Sequence, residues 1–150
     1  MPPRRGTEAC FARNLCKPAP MNHRTVLLAA GILGATGVAL GAYGAHALRA
    51  FLMERGMSVA WETAVRYHLW HAIALLPLGV WLRVDAFGGE RLARWAAGCW
   101  IAGVVVFSGS LYLLALGGPR WLGPVTPLGG LALVAGWLFV AVAAFTKKKT

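Results

Sequence analysis

Acidic residues are scarce. The 150-residue chain has 5 Asp and Glu against 15 Lys and Arg, and only 13% of it is charged. A soluble domain of this size would carry about 25% charged residues. None of the acids lies inside an apolar block, which disfavours a carboxylate-driven ion pump. Cysteine is sparse too. Cys10, Cys16 and Cys99 form no CxxC pair, and Cys99 lies among apolar residues. No disulfide framework or zinc site is indicated. The chain has no phosphate-binding glycine loop, no HExxH, no GxSxG and no CxxCH, and with them go the commonest reaction-specific motifs. The expectation is a protein that is not an enzyme and has no cofactor. Its net charge of +10 would suit nucleic acid if it lay on one soluble face. It lies at the ends of apolar blocks, where membrane topology requires it, so no nucleic-acid partner is expected.

What the chain has is apolar length and glycine. It is 58% hydrophobic, with 19 glycines. The organising stretch is Thr25 to His46, TVLLAAGILGATGVALGAYGAH, which is long enough to cross a hydrocarbon core of about 30 Å as a helix. Gly34, Gly37, Gly41 and Gly44 recur in it at three or four residues. In lipid, such a small-residue face lets another helix approach closely. Ala45-His46-Ala47 resembles a signal-peptidase site, but the apolar stretch exceeds the usual 7–15 residues of a signal peptide's apolar region and is expected to stay.

In chain order, residues 1–20 have no apolar periodicity. They read as a disordered tail, or as a non-native leader preceding a second start at Met21. A transit peptide is a third reading. Residues 47–63 form a short amphipathic connection, with Gly56 ending a helical turn and Ser58 as a candidate N-cap. A second span, about 64–82, contains Pro77, which should kink it. Residues 82–94 make a charged turn. A third span, about 95–116, and a fourth, about 126–145, flank a Gly- and Pro-rich turn. Gly129, Ala132, Gly136 and Ala143 give the fourth span its own small-residue stripe. Residues 147–150 are a basic tail, and 21–146 are one domain.

The basic residues orient the bundle. Arg24, Arg83, Arg91, Arg94 and Lys147 to Lys149 fall on one side, joined by four more in the leader; Arg49, Arg55, Arg66 and Arg120 fall on the other. The bias places both termini in the cytoplasm, with Trp61 and Trp121 as outer interface anchors and Trp81 and Trp95 as inner ones. Short loops force antiparallel neighbours. The fold class is therefore all-α: an integral membrane bundle of four transmembrane helices with up-down topology.

Polar residues cluster towards the outer side: His46, Glu62, Arg66, Tyr67 and His71, with His68 one helical turn before His71. Arg66 follows Glu62 by four residues, the spacing of a helical ion pair. His46 could face His71 across the first hairpin. Structural hydrogen bonding is the leading role for these histidines; a proton or substrate role and ligation of a metal or haem by His46 and His71 are the alternatives. Ser108, Ser110 and Tyr112 lack an acid or base nearby and read as helix–helix hydrogen-bonding groups.

Four ordered blocks carry a resemblance: GAYGAHAL from Gly41, WETAVRYHLWHAIALL from Trp61, FSGSLYLLAL from Phe107 and LGPVTPLGGLALVAGW from Leu122. Together, over about residues 24–145, they resemble the domain of unknown function 423 family. That family includes the YgdD-like bacterial inner-membrane proteins and is similar to the transmembrane protein 256 group. The resemblance implies a four-helix protein of the inner (plasma) membrane and supplies no activity. It implies motif positions at Gly41, Gly44, His46, Glu62, Tyr67, His71, Ser108, Gly109, Ser110, Tyr112, Pro127, Gly129 and Gly130. The family commonly has Gln where this chain has His68 and Tyr where it has Trp70, which leaves His46 and His71 as the better pair.

The sequence thus points to a small multi-pass membrane protein in the lipid bilayer. Its helix packing, through Gly34, Gly37, Gly41, Gly44, Ser108, Gly109, Ser110, Tyr112, Gly129, Gly130 and Gly136, would serve an accessory, assembly or interaction role with a membrane-protein partner or as a homo-oligomer. A homo-oligomeric pathway for protons or small solutes, and a haem- or metal-binding redox protein, are the alternatives.

Overall fold

A computed structural model describes residues 21–84 and 88–146. The leader, the basic tail and part of the second loop lie outside the described residues. Five helices follow one another: α1 (His23–Ala45), α2 (Arg49–Glu54), α3 (Ser58–Val84), α4 (Glu90–Ala115) and α5 (Leu122–Ala143). The Asn22 side chain caps α1 by accepting from the Thr25 amide at 2.9 Å. The end of α2 is set by Gly56, whose φ of 65° suits glycine. There the Met57 amide reaches back to the Leu52 carbonyl and the Gly56 amide to Met53, a Schellman closure. Ser58 is the first helical residue of α3 rather than its cap, because the Trp61 amide already bonds the Met57 carbonyl one residue earlier.

Three helices are long and apolar enough to cross a membrane: α1, α4 and α5. The 27-residue α3 is not among them, since Glu62, Arg66, His68 and His71 lower its hydropathy. Large apolar side chains nonetheless face outward on all four long helices, among them Leu28, Ile73, Val105 and Leu138. In water that surface would be a liability; in lipid it is the solvent-facing side.

By close backbone approach the long helices form a row, and Trp137 of α5 also reaches His71 of α3. α1 lies on α3, α3 on α4, and α4 on α5. Close approaches at glycine fix the registers. A side chain at Gly79 would meet Leu27, at Gly37 it would meet Leu69 and His68, and at Gly44 it would meet Trp61. α1 and α3 therefore run in opposite directions and touch along most of α1. Between α4 and α5, Gly103 faces Leu133, Gly129 faces the Phe107 backbone, and Gly136 faces Trp100, so these two are antiparallel as well. The core is built from Val26, Leu75, Leu78, Trp100, Val104 and Leu133, with Ala93, Ala96 and Ala97 letting α4 sit close to its neighbours.

Each interface is also pinned by a polar side chain. Trp61 Nε1 donates to the Leu40 carbonyl at 3.1 Å, joining α3 to α1. Ser108 Oγ donates to the Ala64 carbonyl at 2.9 Å, joining α4 to α3. Trp100 Nε1 donates to the Leu133 carbonyl at 3.2 Å, joining α4 to α5. Ser110 and Thr126 add a hydroxyl pair at 2.7 Å between α4 and α5. In lipid such bonds contribute about 0.6 kcal/mol each on average, and their geometry fixes rotation as well as distance.

Candidate functional site

The residues singled out from the sequence separate into two places. At the end of the bundle where α1 stops and α3 begins, Glu62 and Arg66 line an open cleft of about 650 Å³ together with Arg49, Trp61, Gly41 and Gly44. Glu62 and Arg66 do not pair. Among the described residues the ion pair within 4 Å is Arg94 with Glu90, at 3.8 Å. His46 is exposed just past the last turn of α1. Trp61, expected as an interface anchor, is instead buried beneath Gly44.

His71 lies elsewhere. In the α1–α3 register His68 sits opposite Gly37, so His71 is level with about residue 34. His46 is then about 18 Å away along the axis, at about 1.5 Å per residue. The two histidines do not face each other, and a site ligated by both does not fit this geometry.

His71 has a defined chemical state. Its Nδ1 lies 2.7 Å from the Tyr67 carbonyl, and Trp137 Nε1 lies 3.2 Å from its Nε2. A carbonyl only accepts and an indole N–H only donates. The proton is therefore on Nδ1, the ring is neutral, and Nε2 accepts from Trp137. Rings enclose it: Tyr67 stacks at 6.2 Å, while Trp100 and Trp137 present edges at 5.8 and 6.1 Å. With both nitrogens engaged, His71 has no free lone pair for a metal or haem iron unless Trp137 moves.

His68, set aside on the resemblance, is bonded to two other helices, where His71 is bonded to one. Thr36 Oγ1 donates to the Ile32 carbonyl at 2.8 Å and so accepts from His68 Nε2 at 3.3 Å. His68 Nδ1 is then left to accept from the Tyr112 hydroxyl at 3.4 Å. The resulting chain, Tyr112 to His68 to Thr36 to the Ile32 carbonyl, crosses α4, α3 and α1 and uses every donor. Among the described residues no buried side-chain nitrogen or oxygen lacks a partner. The sequence held a signal for this chain in Thr36, a hydroxyl in the middle of the apolar stretch of α1.

Of the glycines expected at helix contacts, Gly37, Gly41, Gly44, Gly129 and Gly136 lie against a neighbouring helix. Gly130 makes only ordinary contact with Phe107, at 3.7 Å, while Gly34 and Gly109 have nothing within 4 Å. Gly79, not singled out, lies tightly against Leu27.

Residues 40–130, which include the cleft and both His68 and His71, match the family model described as "Protein of unknown function (DUF423)". The chain belongs to the DUF423 family. Within it, the chain is 44% identical over 108 residues to a UPF0382 membrane protein of Staphylococcus haemolyticus, covering 72% of this chain and 84% of that one. It is 39% identical to the UPF0382 membrane protein YwdK of Bacillus subtilis, covering 71% and 85%. It is 37% identical over 133 residues to the UPF0382 inner membrane protein YgdD of Escherichia coli, covering 86% and 95%. No solved structure matches it. This family member is a multi-pass protein of the cell's inner (plasma) membrane, and its apolar helices lie in the lipid bilayer.

Proposed function

We propose that this DUF423 protein is a four-pass membrane protein that acts through helix packing, as an accessory or assembly component of a complex. The observation that carries the reading is the division of labour on α1. Gly37, Gly41 and Gly44 are used against α3, whereas Gly31 and Gly34 face open space on a helix at the edge of the row. Among the described residues every buried side-chain nitrogen and oxygen has a hydrogen-bond partner, which supports a structural role for these groups over one in turnover.

The α1–α3 register supports counting α3 as the fourth span. α3 accompanies α1 from Trp61 opposite Gly44 to Gly79 opposite Leu27, so where α1 crosses the bilayer α3 crosses beside it. His68 and His71 are tolerated at that depth because they are neutral and bonded. Arg66, one to two turns from the end, can extend its guanidinium to the surface. Arg55 and Arg120 then lie outside, with both termini and Arg83 in the cytoplasm.

A membrane-impermeant thiol reagent tests the topology on intact cells. Cysteines introduced at Arg55 and Arg120 should label, and one at Arg83 should not. Labelling of Arg83 together with Arg55 would remove α3 from the spans. Purification in native lipid, weighed by native mass spectrometry, tests the role. A complex heavier than one chain is expected.

A further inference from the structure

We infer that the cleft between α1, α2 and α3 binds a phosphate group, carried by the headgroup of an anionic glycerophospholipid. Its volume of about 650 Å³ is within the range of small-molecule sites, roughly 300–1,000 Å³. Its wall is divided. Arg49, Arg66 and Glu62 supply the charged part, while Leu52, Met53 and Val65 supply the apolar part. The cleft opens beside Gly44 and Ala45, the last turn of a helix long and apolar enough to span. It is therefore at the boundary where a lipid changes from acyl chain to headgroup.

The charge pattern selects the ligand. Among the described residues neither Arg49 nor Arg66 has a hydrogen-bond or ion-pair partner, and neither does Glu62. Arg55, the C-cap of the short helix that begins at Arg49, is engaged differently. It lies over the Phe51 ring at 5.3 Å and extends to Gly117 in the turn after α4. Two uncommitted guanidiniums on facing elements suit a phosphate, which takes several charge-assisted hydrogen bonds at once. At a membrane surface such groups are also drawn to anionic lipid. Glu62 beside them leaves a net charge of one positive unit, matching a singly charged headgroup. Its carboxylate can accept from a headgroup hydroxyl, as glycerol would offer. The apolar wall takes the first methylenes of a chain. This assignment is independent of whether the protein has a protein partner.

The test is a titration of the full chain in a neutral maltoside micelle with dihexanoyl phosphatidylglycerol, dihexanoyl phosphatidylcholine and inorganic phosphate, read by calorimetry. Phosphatidylglycerol should bind saturably and phosphatidylcholine at least ten-fold more weakly. Arg49→Gln and Arg66→Gln should each weaken the former about ten-fold, as expected for loss of a hydrogen bond to a charged group. Arg120→Gln, a surface change outside the cleft, should leave it unchanged. None of these arginines supports the fold through a partner, so unchanged helicity should accompany the loss. Equal binding by wild type and the double variant would overturn the site. Equal binding of the two lipids would overturn the charge argument. Inorganic phosphate binding as tightly as phosphatidylglycerol would overturn the assignment to lipid.

Discussion

Gly129 and Gly130 are neighbours on α5, and replacing each with alanine should have opposite effects. At Gly129 the new methyl would lie 2.7 Å from the Phe107 Cα. Carbon atoms prefer about 3.5–4.0 Å, so the α4 backbone would have to retreat by about 1 Å. A backbone cannot swing aside as a side chain can. The retreat would stretch the Ser110–Thr126 pair from 2.7 Å and the Trp100–Leu133 bond from 3.2 Å beyond useful range. Two interhelical bonds at about 0.6 kcal/mol each add to about 1–3 kcal/mol of overpacking strain. Replacing glycine returns up to about 1 kcal/mol of helix propensity. The net expectation for Gly129→Ala is about 1–3 kcal/mol of destabilisation. At Gly130 the nearest atom would be a Phe107 ring carbon at 3.7 Å, so Gly130→Ala should be neutral or stabilising by up to about 1 kcal/mol. The assay is reversible unfolding in mixed micelles by added SDS, followed by far-UV circular dichroism. Equal stability of the two variants would refute the α4–α5 register.

Three further outcomes follow from named contacts. Trp137→Phe should cost about 1–3 kcal/mol in the same assay, since it leaves the buried His71 Nε2 without its donor; nitrogen NMR of labelled histidine should find the proton on Nδ1 in the wild type. Ser108→Ala should cost only about 0.6 kcal/mol, up to about 1.7, because the Ala64 carbonyl it serves sits within a helix. Gly56→Ala should lower stability by about 1 kcal/mol through its left-handed φ of 65°, without changing the mass of any complex.

The helices were legible because each apolar block ends at charge, Pro or Gly, which marks where a span must stop. Which glycines meet a neighbour was only partly legible. Spacings of three and four residues drift around a helix turning about 100° per residue. Gly37 and Gly44 stay within about 20° of one face, while Gly34 falls about 60° away from Gly37 and looks outward. The separation of His46 from His71 was not legible because depth is a tertiary quantity. The α2 segment occupies the residues after His46, so α3 starts level with the end of α1 and carries His71 to the middle of the bundle. Trp61 and Trp100 were hidden for a related reason. An indole reads as an interface anchor or core filler until the glycine beneath it is known, Gly44 and Gly136 in these cases. Nothing linear connects Trp137 with His71, which lie 66 residues apart.

The proposed role requires α1 to offer its outward small-residue face to another membrane helix. The most direct test is the mass of the complex taken from native membranes, compared between wild type and Gly34→Leu. A Cβ added at Gly34 would meet nothing within 4 Å in the single chain, so the variant should still fold. The proposed role predicts a complex heavier than one chain for the wild type and a single chain for Gly34→Leu. A wild type that is a single chain, or a variant that keeps the full complex, would contradict it.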